Sequence, residues 1–201
     1  MTATTTPARR LWDPIVRITH WSIALAVLAN ALVTEEGSGP HIWVGYGLAA
    51  ILGLRLLWGL VGPTEARFAA FWPSPRKALA HLRDIRASTV VPHASHNPLG
   101  ALMVYAIWGC LLTIIATGIT MAGPPPWDGA KREEEHRSIA VSGESHDEEG
   151  EEEDEEVLLG EIHETAANLL YLLILLHLAG VIFETRRSGK QVLVAMAPFG
   201  R

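Results

Sequence analysis

Four long apolar runs, separated by polar segments of very different charge, set the pattern of this chain. The first, PIVRITHWSIALAVLANALVT, predicts a helix over about 14–34, with Pro14 suited to a first helical turn and Arg17 close enough to the end to reach water. A short turn, EEGSGP, leads into HIWVGYGLAAILGLRLLWGLV, a second helix over about 41–61 with Arg55 within reach of its far end. The third, about 99–121, carries no charge, and its Gly100, Gly109 and Gly118 recur every nine residues, which permits close approach by neighbours. The fourth covers about 157–184. Each run is long enough to cross a hydrocarbon layer of about 30 Å. The fold class expected is all-α, an integral membrane four-helix bundle forming one domain over 1–201.

The segments between the runs sharpen this picture. Residues 62–98 are basic and rich in proline, and PSPRKALAHLRDIRAS within them reads as a short amphipathic helix lying at the surface. Residues 131–156 are too acidic to pack and read as a solvated or partly disordered loop. The net charge of −6 hides this asymmetry, whereas the 49% hydrophobic content and mean hydropathy of +0.21 agree with a membrane protein. Arg9, Arg10, Arg17, Arg67, Arg76, Lys77, Arg83, Arg86, Arg186, Arg187 and Lys190 all fall on one side of a four-span arrangement. By the positive-inside rule that side is cytoplasmic, which places both termini inside a bacterial inner membrane and the acidic loop on the periplasmic side. No small-residue cleavage site follows the first run, which reads as a retained helix.

Histidines carry the candidate chemistry. His163 and His177, in the fourth run, are fourteen residues apart. On a helix that is about 21 Å and almost four full turns, so both rings share a face at two depths. His20 and His177 lie at matching depth near the inner side, and His41 and His163 near the outer side. Two histidine pairs donated by opposite helices, one in each membrane half, are what six-coordinate haem iron needs from a four-helix bundle. The bland alternative for His20 and His177 is a core histidine bonded to a carbonyl, and it is stronger for His41 and His163, which lie near the interface. Cys110 is the single cysteine, so C-x-x-C-H attachment is excluded and any haem is held without thioether bonds.

Other residues are weighed beside these. Gly45, four residues after His41, could leave room for a flat porphyrin beside the backbone. Arg17 and Arg55 either pair with haem propionates or snorkel to lipid phosphate, with the pattern slightly favouring the second. Trp12, Trp21, Trp43, Trp58 and Trp72 read as an interfacial belt. His81, His93, His96, His136 and His146 fall outside the apolar runs and read as solvent-facing or loop residues, with His93 and His96 also candidates for a propionate contact or a quinone proton path. Glu164 and Asn168 receive no role. Phosphate loops, dinucleotide fingerprints and H-E-x-x-H are absent, and basic segments set against membrane with little aromatic interleaving argue against nucleic acid as a partner.

LWDPIVRITHW, HIWVGYGL with LRLLWGLVGP, SHNPLGALMVY, and EIHETAANLLYLLILLHLAGVIFE resemble the bacterial cytochrome b-561 family, which includes the cytochrome b subunit of nickel-iron hydrogenases. The resemblance covers nearly the whole chain outside the acidic run. It implies four helices holding two non-covalent haem b groups on His20, His41, His163 and His177, with electrons passing between quinone or quinol and a redox partner. On that expectation the partners are membrane lipid, quinone, and a periplasmic c-type cytochrome or an oxidoreductase subunit at the acidic loop, with a homo-oligomer also allowed. The chain would then be an electron-transfer protein or an oxidoreductase subunit acting with quinone. Rival readings are the membrane anchor and electron-acceptor subunit of a nickel-iron hydrogenase or similar oxidoreductase, and a histidine-based metal transport protein, which would prefer ligands converging on one point.

Overall fold

Helix ends are set by short polar residues and glycines that the apolar runs alone do not reveal. The computed structural model describes residues 12–86, 98–123, 146–189 and 191–197, and among these there is no strand. The helices are α1 (Pro14–Leu32), α2 (Gly39–Val61), α3 (Pro75–Arg86), α4 (Pro98–Ala122), α5 (His146–Ser188) and α6 (Gln191–Met196), with a 3-10 turn at Phe68–Phe71. Asp13 caps α1 by accepting from the backbone N–H groups of Ile15 and Val16, 2.9 and 3.2 Å away, and Pro14 follows it. Ser38 caps α2 by accepting from His41 N–H. At the other ends, Gly123 (φ 65°) follows α4 and Gly189 (φ 89°) follows α5, both in the left-handed region that a Cβ disfavours.

Helices α1, α2, α4 and the Asp154–Arg187 part of α5 are long and apolar enough to cross a membrane. Helix α5 begins earlier than the apolar run suggests. Residues 146–156, which the sequence reading assigned to a solvated or partly disordered loop, are helical and continuous with the fourth span. Glutamate is a good helix former, and acidic side chains in a first turn complement the positive end of the helix dipole, so an acidic segment can be both solvated and helical.

Packing joins α4 to α5, α1 to α2, and α2 to α4, and α3 lies against α4. The central layer consists of Leu48 and Leu52 from α2, Cys110 and Leu111 from α4, and Leu170 from α5, where Cys110 packs as a small apolar side chain. Outward-facing leucines such as Leu25, Leu54, Leu57, Leu172, Leu175 and Leu178 remain exposed, as expected where lipid is the solvent. The two chain ends meet. The Trp12 N–H donates to Ala195 O (3.2 Å), the Trp21 indole N–H to Met196 O (2.8 Å), and an Arg17 guanidinium N–H to Ala197 O (3.0 Å), which fastens α6 to the start of α1.

Candidate functional site

Three helices carry polar residues at the same interval. His20 on α1 and Thr34 just past its end, His41 and Arg55 on α2, and His163 and His177 on α5 are each fourteen residues apart. That interval keeps a face and changes the level by about 21 Å. Because α1 and α2 run in opposite directions, Thr34 meets His41 at one level while His20 and Arg55 fall at the other. Leu48, seven residues from His41 and from Arg55, and Leu170, seven from His163 and from His177, fill the layer between. The bundle therefore has two polar levels separated by an apolar one.

At one level the rings of His20 and His177 face each other with centroids 6.3 Å apart and planes tilted by 52°. At the other, His41 and His163 repeat this, with 6.3 Å and 54°. The spacing is informative. Two metal–nitrogen bonds of about 2 Å each, plus ~1 Å from nitrogen to ring centre on either side, come to about 6 Å for imidazoles on opposite sides of one metal atom. Rings joined by a direct nitrogen-to-nitrogen hydrogen bond would sit closer, at about 5 Å between centroids. Helix α5 carries one histidine of each pair, yet it makes its extensive contact with α4, while α1 and α2 pair with one another. A Cβ built on Gly45 meets nothing within 4 Å, as is true of several other helical glycines, Gly47, Gly53 and Gly109 among them.

Each pair has its own surroundings. At the His41–His163 level, Thr117 Oγ1 lies 2.9 Å from His163 Nδ1, and Thr34 Oγ1 lies 3.4 Å from His41 Nδ1. Gly118 makes room there, because a Cβ on it would stand 3.2 Å from His163 Cε1. At the His20–His177 level, His20 Nδ1 is buried without a hydrogen-bond partner.

Arg55 is 5% exposed, so it does not snorkel to lipid phosphate as the pattern slightly favoured. Its guanidinium lies 5.2 Å over the Trp108 ring, donates through Nη2 to Ala66 O at 3.5 Å, and leaves Nη1 buried without a partner. Asp13 and Tyr105 are its electrostatic neighbours, and the Tyr105 hydroxyl is likewise buried without a partner. Around them Phe68, Phe71, Tyr105 and Trp108 form a continuous aromatic cluster. A buried guanidinium donor left open fits a carboxylate such as a haem propionate. Arg17 is engaged with Ala197 O instead.

Sequence reasoning had passed over Thr34, Thr117, Gly118 as a neighbour of His163, and Tyr105. The fourteen-residue interval was the available signal for Thr34; nothing comparable marks Thr117, whose role depends on which helix α4 packs against. Trp58 was read as a belt residue, but its indole N–H donates to Asp13 Oδ1 at 3.0 Å. Exposed Trp21, Trp43 and Trp72 keep the belt reading. His93, His96 and His136 lie outside the described residues. Among the described residues, no group of three or more His, Cys, Asp or Glu side chains is gathered to hold a metal ion, as the transport reading would want.

The model of the family described as prokaryotic cytochrome b561 matches residues 11–199. The searches of the curated proteins and of the solved structures gave no match. With the match spanning almost the whole chain and three of the four apolar helices carrying paired histidines, the protein belongs to the prokaryotic cytochrome b561 family, as a multi-pass membrane b-type cytochrome that binds haem and takes part in electron transfer.

Proposed function

We propose that the chain holds two haem b groups, one between His41 and His163 and one between His20 and His177, and passes electrons between the quinone pool and a periplasmic redox partner. The observation that carries this reading is the repeated 6.3 Å ring separation at two levels of one bundle. Bound haem would supply one-electron chemistry at iron; the protein's part is to hold, orient and insulate it. The imidazoles of His20, His41, His163 and His177 would hold the two groups, two to each, which would favour electron transfer over oxygen binding. Leu48, Leu52, Leu111 and Leu170 keep water out of the layer between the two levels. Arg55 Nη1 would serve a propionate at the level of His20 and His177, with Gly45 giving space beside the His41 face.

In this reading the protein resides in the bacterial inner membrane with both termini cytoplasmic, consistent with the meeting of α6 and the start of α1. Quinone exchanges near the cytoplasmic side. The acidic start of α5, where Asp154, Glu155 and Glu156 are exposed, then projects on the periplasmic side and attracts a basic redox protein such as a c-type cytochrome. The test is the purified protein's haem-to-polypeptide ratio together with its reduced-minus-oxidised spectrum. Two haems with sharp α and β bands support the reading, whereas one haem or none sinks it.

A further inference from the structure

The two histidine levels differ in what stands behind the ligands, and the difference has a direction. Thr117 is 7% exposed. Its hydroxyl has carbonyl oxygens on one side, Thr113 O at 2.8 Å and Ile114 O at 3.2 Å, and His163 Nδ1 on the other at 2.9 Å. A hydroxyl has one proton. Carbonyls only accept; with the proton on Thr113 O, the shortest of the three contacts and one helical turn back, the oxygen lone pair faces Nδ1 and accepts from the ring. This sets His163 as the tautomer with hydrogen on Nδ1 and leaves Nε2 bare. Gly118 lets the ring come this close to α4.

Thr34 repeats the arrangement at His41. Its hydroxyl reaches Asn30 Oδ1 at 3.1 Å and Asn30 O at 3.4 Å, with His41 Nδ1 at 3.4 Å, and the Asn30 amide donates to His41 O at 3.3 Å. Here the contact to the ring is longer and weaker. No such relay ends on His20, whose Nδ1 is buried and unpartnered, and the buried cation Arg55 belongs to that level.

We propose that Thr117, assisted by Thr34, is a positioning residue that fixes the tautomer of the outer ligands and strengthens their donation to iron, which makes the outer haem the lower in potential of the two. This deepens the two-haem reading and rests on it. A hydrogen bond accepted from Nδ1–H makes the imidazole a better donor, and ferric iron, with one more positive charge than ferrous iron, gains more from a better donor. The open guanidinium of Arg55 acts the opposite way at the inner level, where positive charge favours the reduced form. An electron arriving at the outer level therefore runs downhill to the inner one.

The test is a spectroelectrochemical titration of the haem-loaded protein in wild type, Thr117→Val, Thr117→Ser and Thr34→Val. Valine keeps the shape of threonine and removes the hydroxyl, while serine keeps the hydroxyl. Thr117→Val should raise the lower of the two midpoint potentials by about a tenfold change in the oxidised-to-reduced ratio, about 59 mV for one electron, and leave the higher one in place. Thr34→Val should move the same component less, and Thr117→Ser should titrate as wild type. If Thr117→Val moves the higher component, or moves neither with both haems bound, the proposal is wrong. It is equally wrong if Thr117→Ser shifts as far as Thr117→Val, which would mean a packing role. Should Thr117→Val lose a haem, restoration of two haems by Thr117→Ser supports the relay, and its failure to restore them counts against it. A wild-type protein with fewer than two haems would overturn the two-haem reading itself, an outcome separate from all of these.

Discussion

The indole N–H of Trp58, near the end of α2, donates to the same Asp13 carboxylate oxygen that caps the first turn of α1. One side chain thus starts a helix and ties it to the end of its neighbour, at the end of the bundle that holds His20. Asp13→Ala removes both roles and should destabilise the protein by about 1–2 kcal/mol for the cap and a further ~1 kcal/mol for the indole bond. Trp58→Phe removes only the second. The thermal midpoints of the two variants and their double should show that the double costs less than the sum, because the two changes share a bond.

Gly59 and Gly53 lie on the same helix but meet different neighbours. A Cβ on Gly59 would fall inside the Phe68 ring, whereas one on Gly53 meets nothing within 4 Å. Phe68 packs on Tyr105 and Trp108, with centroids 6.4 and 5.4 Å away, so it cannot yield without disturbing the floor beneath Arg55. Gly59→Ala should therefore destabilise by about 1–3 kcal/mol. Gly53→Ala should be neutral or slightly stabilising. Equal effects in thermal denaturation would refute the assignment of Phe68 as a tightly held ring.

Arg55 offers a test of the inner level. Replacing it by Gln keeps a hydrogen-bond donor over Trp108 and removes the positive charge. The higher of the two midpoint potentials should then fall, by an amount on the order of 1–2 kcal/mol in the redox equilibrium, and Arg55→Lys should recover part of it. A redox titration in which Arg55→Gln leaves both components in place would show that the guanidinium serves packing alone.

The acidic start of α5 bears on association. Replacing Asp154, Glu155 and Glu156 by their amides keeps the helix and removes three charges. The association rate with a basic redox partner should drop at low salt and converge with wild type at high salt, where screening has already removed the attraction. Stopped-flow rates across an ionic-strength series decide it, and identical slopes for the two proteins would exclude steering by this segment.

Much of this architecture was legible from the chain because lipid imposes simple rules. An apolar run of sufficient length has to cross as a helix, and a histidine inside it has to face inward, so depth alone matched His20 with His177 and His41 with His163. Contacts across helices were harder to read. Thr117 lies in an unremarkable uncharged stretch, and its value appears only once α4 is known to pack against α5. Arg55 looked like a residue near a helix end with a short route to lipid phosphate, but it lies over the Trp108 ring of α4 and donates to Ala66 O, and nothing local to α2 announces those partners. The acidic segment was misread at 146–156 because charge was taken to exclude order, whereas glutamate is a good helix former and the helix runs through these residues.

The account depends most on which histidines belong together, and the haem-to-polypeptide ratio of two double variants tests it directly. His20→Ala with His177→Ala empties one level and should leave one haem per chain. His20→Ala with His163→Ala breaks both levels and should leave none. Equal haem content in the two, or more in the second than in the first, would contradict the pairing on which everything above is built.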